Sequence, residues 1–397
     1  MNKNFKLLLA GQMASQVGDK FHMIALAFWV LETTGSSGKM GMVLAAFLVP
    51  SLVLGFFSGS FVDRYSRKKI IVGTDLVRGL VLMGFVWLFM ANEMNLGLII
   101  GLQVILSASA AFFDPSIPAM IPQIVGKDSL ARANAMHQAA NSAALIGGAA
   151  LGGMAVAGLG YEWIFFLNGM SFLISAGFES FIKIYPGRNP GTKNSLGSDI
   201  KAGYLYLLGS PSLVVILFMV MVIHFFVGAI EVFMPVIADH FLDNGPKTLG
   251  FFQAALGSGT LVMSLLLSRS SLGGTKKTAL FSSVMAMGCL QAVTFFLPGS
   301  GSVQKIGFIL CFFFWGCAMI RAAVSFKTLI QALTKNEYAG RVFALAATIG
   351  NGSIPAAMIF FGLLLDKSDF QKLFSLSGLI LAGLGLTFLI LFKKENK

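Results

Sequence analysis

"GSFVDRYSRKK", residues 59–69, packs four cations and one acid into eleven positions. On either side the chain turns almost wholly apolar, over 40–61 before it and 70–91 after it. Each run is about the 20 residues that an α-helix needs to cross roughly 30 Å of hydrocarbon. A short, charged connection between two such runs reads as a loop at one membrane surface.

The same alternation continues along the chain. Of 397 residues 56% are hydrophobic and only 12% charged, with a mean hydropathy of +0.80. A soluble domain carries about 25% charged residues, so there are too few charges here to coat a soluble surface. Turn signals divide the apolar runs into twelve expected spans, near 6–31, 40–61, 70–91, 96–121, 131–157, 161–184, 211–237, 247–268, 277–297, 303–326, 340–365 and 370–392. Transmembrane strands would alternate polar and apolar residues over about ten positions, and these runs are continuous. The expectation is an all-α integral membrane protein.

The net charge of +12 invites a nucleic-acid reading, which its distribution excludes. With the amino terminus inside and twelve crossings, 20 of the 29 Lys and Arg fall on the cytoplasmic side. Only Lys39, Lys247, Lys305, Lys367 and Lys372 fall outside, and Lys20, Arg78, Arg321 and Lys327 lie within spans. Cytoplasmic loops of membrane proteins carry this excess. The basic balance therefore reports topology: both termini cytoplasmic, in a bacterial-type cytoplasmic (inner) membrane. Cys289, Cys311 and Cys317 all lie in spans, which implies no disulfide framework. The opening "MNKNFKLLLAGQ" (1–12) has the basic tip of a signal peptide, but the apolar run resumes after residue 20 and reaches Leu31, so it reads as an uncleaved first span.

The longest polar segment, "YPGRNPGTKNSLGSDIKAGYLYLLGSPS" (185–212), follows the sixth span. It marks a cytoplasmic linker over 185–210 between two six-helix bundles, 1–184 and 211–397. The halves resemble each other. A shift of 209 residues lays "IPQIVGKDSLARANAM" (121–136) on "IQALTKNEYAGRVFAL" (330–345) without a gap, with Asp128 on Glu337, Arg132 on Arg341 and Ala135 on Ala344. Both stretches join the fourth and fifth helix of their half, so an internal duplication is expected. Six helices per repeat give both halves the same sense in the membrane, with a cavity between them.

The loop "GSFVDRYSRKK" (59–69) resembles the signature of the major facilitator superfamily: Gly59, three residues, then Asp63 and Arg64, followed by Arg67 and Lys68, with Ser66 where the pattern has Gly. "TDLVRG" (74–79), holding Asp75 and Arg78, resembles the third-helix start of the superfamily's drug-efflux branch. "FFDPSIPAMIPQIVGKDSLARANAM" (112–136) resembles that branch's connection from the fourth to the fifth helix. "GAALGG" (148–153), with Gly148, Gly152 and Gly153, resembles the fifth-helix antiporter motif, Ala149 replacing its Pro. The group it is most similar to is the macrolide-efflux and siderophore-exporter group. The resemblance implies the major facilitator fold, with twelve transmembrane helices in two pseudo-symmetric six-helix halves. It also implies that the first, fourth, seventh and tenth helices line the central cavity and that Asp63, Arg64, Arg67, Lys68, Asp75 and Arg78 belong to a gate. One departure matters. Many drug–proton antiporters carry an Arg midway along the fourth helix, and Leu106 stands there.

The intramembrane ionisable residues are the candidate pathway, because a charge at the bilayer centre costs about 2.5–3.5 kcal/mol or more. Asp19, Lys20 and His22 sit on the first span, Asp114 on the fourth, His224 and Glu231 on the seventh, Arg321 and Lys327 on the tenth. Asp19 and His22 are three apart and share a face. Asp19, His22, Asp114, Glu231 and Arg321 are expected to form the substrate and proton pathway. The bland alternative is structural pairing, as in an Asp114–Arg321 bridge. Asp75 with Arg78, and Glu179 with Lys183, are spaced to pair locally. With 38 Phe and 20 Met, flexible greasy walls suit varied apolar ligands.

The expected activity is proton-coupled export of hydrophobic or amphipathic small molecules by a monomer in the lipid bilayer, with no cofactor beyond the proton gradient. A lysophospholipid flippase of the same fold is the alternative, and a non-transporting receptor or scaffold a more distant one. The sequence contains no G-x-x-x-x-G-K-[ST] for nucleotide hydrolysis, and neither H-E-x-x-H nor G-x-S-x-G for enzymatic hydrolysis.

Overall fold

The computed structural model describes residues 2–125, 129–183, 207, 209–240, 245–269, 276–297, 301–334 and 336–395. Twelve long helices follow one another: α1 (Lys3–Thr34), α2 (Ser37–Arg64), α3 (Arg67–Met90), α4 (Leu96–Ile124), α5 (Leu130–Leu159), α6 (Tyr161–Ser180), α7 (Pro211–His240), α8 (Gly245–Arg269), α9 (Lys276–Val293), α10 (Ser302–Leu333), α11 (Asn336–Leu365) and α12 (Phe370–Glu395). No strand occurs among the described residues. Nine candidate spans, within α2–α4 and α7–α12, are long and apolar enough to cross a membrane by length and composition, among the described residues. The helical answer follows from the solvent: hydrocarbon offers no hydrogen bonds, so each span must satisfy its own backbone.

The helix ends are set by local chemistry. Asn2, Ser36 and Asn95 cap α1, α2 and α4, their side-chain oxygens accepting from the N–H of Phe5, Lys39 and Leu98 at 3.0, 3.1 and 3.0 Å. α1 stops at Gly35, whose φ of 61° is the left-handed conformation that glycine adopts without cost. The turn between α2 and α3 is only Tyr65 and Ser66. Ser66 has φ −64°, so the connection does not need the family's glycine there. α4 stays helical through Pro115, Pro118 and Pro122. Each proline removes one N–H from the ladder, and the neighbouring Ser116 hydroxyl donates to the Phe112 carbonyl at 2.7 Å.

The chain divides into two units, Met1–Thr192 with Asn244–Gly250, and Lys193–Asp243 with Phe251–Lys397. The expected linker, 185–210, lies almost wholly outside the described residues. In the first unit α1 packs on α5 and α6, α2 on α4, and α3 on α4 and α6. In the second, α7 packs on α11, and α9 on α10 and α12. The pairs 1–5, 3–4 and 3–6 thus recur as 7–11, 9–10 and 9–12. The repeat extends to a cap. α4 ends with Val125 extended (φ −123°, ψ 151°) and its N–H on Ile121 O at 3.1 Å. Thr334 ends α10 in the same way, 209 positions later (φ −103°, ψ 130°), with its N–H on Ile330 O at 3.0 Å. Two pseudo-symmetric six-helix halves are therefore present.

Large apolar side chains, among them Trp87, Met90, Phe181 and Phe296, stand exposed on the surface. Water would penalise such a surface, and a bilayer would not. Since lipid is as apolar as the side chains, association relies on close packing of small residues. At the α1–α5 crossing a Cβ built on Gly148 would lie 3.1 Å from Cβ and Cγ of Lys20, and one on Gly152 3.0 Å from Phe21 and Ile24. The antiporter-like glycines therefore let the charged turn of α1 lie against α5. Gly153 faces Pro246 and Gly250.

Candidate functional site: a carboxylate cluster around Arg78

α3 supplies the centre of the site. Asp75 and Arg78 are three apart, and Arg78 Nη1 stands 3.6 Å from Asp75 Oδ1. Both are buried, Asp75 fully. The guanidinium carbon lies over two rings, 4.5 Å from the centroid of Phe113 on α4 and 5.3 Å from that of Phe172 on α6. A planar cation held between aromatic faces is fixed in position and poorly hydrated.

The other acids converge on this cation. Arg78 attracts Asp19 of α1, Asp114 of α4 and Glu179 of α6, besides Asp75. Lys20 adds attraction on Asp19 alone. Asn168 Nδ2 donates to Asp19 Oδ1 over 3.4 Å. Ser175 Oγ donates to Glu179 Oε1 over 3.4 Å. Asp75 and Glu179 repel each other, and so do Asp75 and Asp19. Both oxygens of Asp75 and Glu179 Oε2 are buried with no hydrogen bond as short as 3.5 Å among the described residues, the Ser175 hydroxyl being the donor that also stabilises the Asp75 carboxylate.

Glu179 corrects an expectation. It does not reach Lys183 but turns inward, almost wholly buried. The reason is that α6 ends at Ser180, so residue 183 is no longer one helical turn away on the same face. Lys183 instead receives Asn4 at its backbone: its N–H donates to Asn4 Oδ1 at 3.2 Å, and Asn4 Nδ2 donates to its carbonyl at 2.8 Å. Asn168, Phe172, Ser175 and Glu179 are spaced four, three and four apart and are all buried. That helical stripe on α6 was visible in "NGMSFLISAGFES" (168–180) and is the signal that the sequence reading passed over.

His22 lies one helical turn from Asp19 but in different surroundings. Its Nε2 meets Gln103 Oε1 of α4 at 3.2 Å, and the rings of Phe85 and Phe165 stand edge-on at 5.4 and 5.2 Å. It is fully buried in the first half. Of the gate residues, Arg67 Nη1 donates to Ala119 O at 2.9 Å, tying the start of α3 to the end of α4. Lys68 is half-buried beside it. Gly59, Asp63 and Arg64 occupy the last turns of α2, and their side-chain surroundings lie outside the described residues. In the second unit Glu231 on α7 is exposed. Arg321 on α10 donates to the hydroxyls of Ser282 and Ser283 at 3.0 and 3.3 Å. Among the described residues no group of three or more His, Cys, Asp or Glu is placed to hold a metal ion.

Twelve helices in two repeated halves, with charge gathered inside one of them, describe a multi-pass transporter rather than an enzyme. The chain belongs to the Major Facilitator Superfamily, whose model matches residues 8–358. It is 25% identical over 388 residues to macrolide efflux protein A of Streptococcus pyogenes, covering 95% of this chain and 93% of that one. It is 27% identical over 361 residues to a Bacillus amyloliquefaciens protein provisionally named bacilysin exporter BacE, covering 88% and 86%. Among solved structures it resembles the nucleoside transporter NupG, with a TM-score of 0.78 over the whole of both chains at 13% identity, a likeness of fold alone.

Proposed function

We propose that the chain exports hydrophobic or amphipathic small molecules in exchange for protons, by alternating access, with the carboxylates around Arg78 holding the coupling proton. The relatives named for efflux and export support the direction of transport. The observation that carries the proton is a charge count. Asp75 and Glu179 are almost wholly buried, feel one guanidinium, and have between them a single neutral hydroxyl donor, that of Ser175. Two buried anions beside one cation strand a charge in low dielectric, at a cost of several kcal/mol. A proton on the pair removes that cost and gives the bare oxygens an O–H. Asp19 and Asp114, on α1 and α4, supply the outer carboxylates through which this proton exchanges with water.

The test is uptake of a macrolide into inverted vesicles under an imposed pH gradient. Accumulation should rise with an acidic lumen and collapse on adding an uncoupler. Uptake indifferent to the gradient would remove proton coupling. Movement of lysophospholipid between leaflets, with no macrolide uptake, would favour the flippase.

The orientation belongs to the same proposal. With Cys289 replaced by Ser, cysteines introduced at Glu93 and Ser66, both exposed, should respond oppositely to an impermeant maleimide added to intact cells. Glu93→Cys should react and Ser66→Cys should not. The reverse pattern would place the termini outside.

A further inference from the structure

The second unit contains a cavity of about 490 Å³ between α8, α9 and α10. Its walls are Met263 of α8, Cys289 and Val293 of α9, and Phe314 and Cys317 of α10, with Arg321 at one end. Val293 and Phe314 are more than half exposed, so the cavity opens at the surface of this unit. Its size is that of small-molecule sites, which run from roughly 300 to 1,000 Å³.

Arg321 sets this cavity apart from a greasy cleft. Its partners are two neutral hydroxyls, of Ser282 and Ser283. No carboxylate stands within ion-pair distance among the described residues. The sequences of α8, α9 and α10 contain no Asp or Glu at all. Arg78, by contrast, pairs with Asp75 and attracts Asp19, Asp114 and Glu179. A guanidinium carries five N–H donors in a planar fork and stays charged at every accessible pH. Two serine oxygens leave part of that fork unused. A permanent cation at the end of an apolar chamber is complementary to a molecule with one anionic end and an apolar body.

We propose that this cavity binds a single-chain carboxylic acid, its acid group on Arg321 and its tail along Met263, Val293 and Phe314. The proposal is independent of proton coupling and of the direction of transport, since it concerns another half of the molecule and an equilibrium binding event.

Cys289 supplies the readout. It lines the cavity and is exposed; Cys317, which lines the same cavity but is buried, and the buried Cys311 are replaced by Ala in every variant so that Cys289 alone reports. The experiment measures the rate of Cys289 modification by N-ethylmaleimide in nanodiscs of zwitterionic lipid. Laurate, dodecanol and dodecyltrimethylammonium serve as probes of equal chain length and different charge. Laurate should slow modification at a concentration roughly 10-fold or more below that at which dodecanol acts, the advantage of one charge-assisted contact. Arg321→Gln should abolish the difference. That variant leaves only serine hydroxyls behind, and a melting curve checks that it folds. Met263→Trp fills the cavity, keeps Arg321 and should also end protection. Equal protection by laurate and dodecanol in the parent, or a laurate advantage that persists in Arg321→Gln, would overturn recognition of the acid by Arg321. No protection by laurate would overturn the site itself.

Discussion

Arg78→Leu should be the most damaging single substitution in the first half, lowering stability by about 3–5 kcal/mol, the cost of breaking a buried ion cluster. The guanidinium is the cation that attracts Asp19, Asp75, Asp114 and Glu179 together. Its removal leaves these acids with Lys20, which acts on Asp19 alone. The defect should shrink as pH falls, because a protonated carboxyl needs no counterion. Arg78→Lys should lie between the parent and the leucine variant: it keeps the charge but loses the planar stacking on Phe113 and Phe172. Arg78→Leu combined with Asp75→Leu should recover part of the loss. Melting temperature in nanodiscs across a pH series decides the matter. A leucine variant as stable as the parent at neutral pH would mean that the guanidinium neutralises nothing.

Glu179→Gln should separate stability from coupling. The amide has the shape of the acid, and its oxygen can still accept from Ser175. It also ends the repulsion between Glu179 and Asp75. Melting temperature should therefore hold or rise. Transport should behave differently: the whole gradient-driven component of export should disappear, leaving the rate seen without a pH gradient. Asp75→Asn should lose the same component but also some stability, because Asp75 pairs with Arg78. Uptake into vesicles with and without a gradient, at matched expression, distinguishes these outcomes. Gradient-driven export undiminished in both variants would move the proton elsewhere in the chain.

The features that the solvent dictates were legible in the sequence. The bilayer dictates helix length and forbids open backbone, so the span pattern carries the fold from hydropathy alone. The 209-residue repeat foretold the shared cap at Val125 and Thr334. The Asp75–Arg78 pair was legible because three-residue spacing on a helix is a local fact. Glu179 was not, because its partner depends on where α6 ends and on which face of α6 meets α3. A reading by i,i+4 spacing alone chose Lys183, whereas the buried stripe from Asn168 to Glu179 chose the interior. His22 teaches the same lesson. It shares a face of α1 with Asp19, yet its neighbours are Gln103, Phe85 and Phe165, supplied by three other helices. Sequence spacing fixes direction around one helix, and only packing fixes what stands opposite.

The claim that buried carboxyls of the first half hold the coupling proton has one direct measurement. Purified protein in a weakly buffered solution, with a pH indicator, is mixed with a macrolide. Binding should release protons from the parent, and the amount should fall as the starting pH is raised and the carboxyls are emptied in advance. Asp75→Asn with Glu179→Gln should bind the macrolide and release none. Undiminished release from that double variant, with the macrolide still bound, would contradict the account.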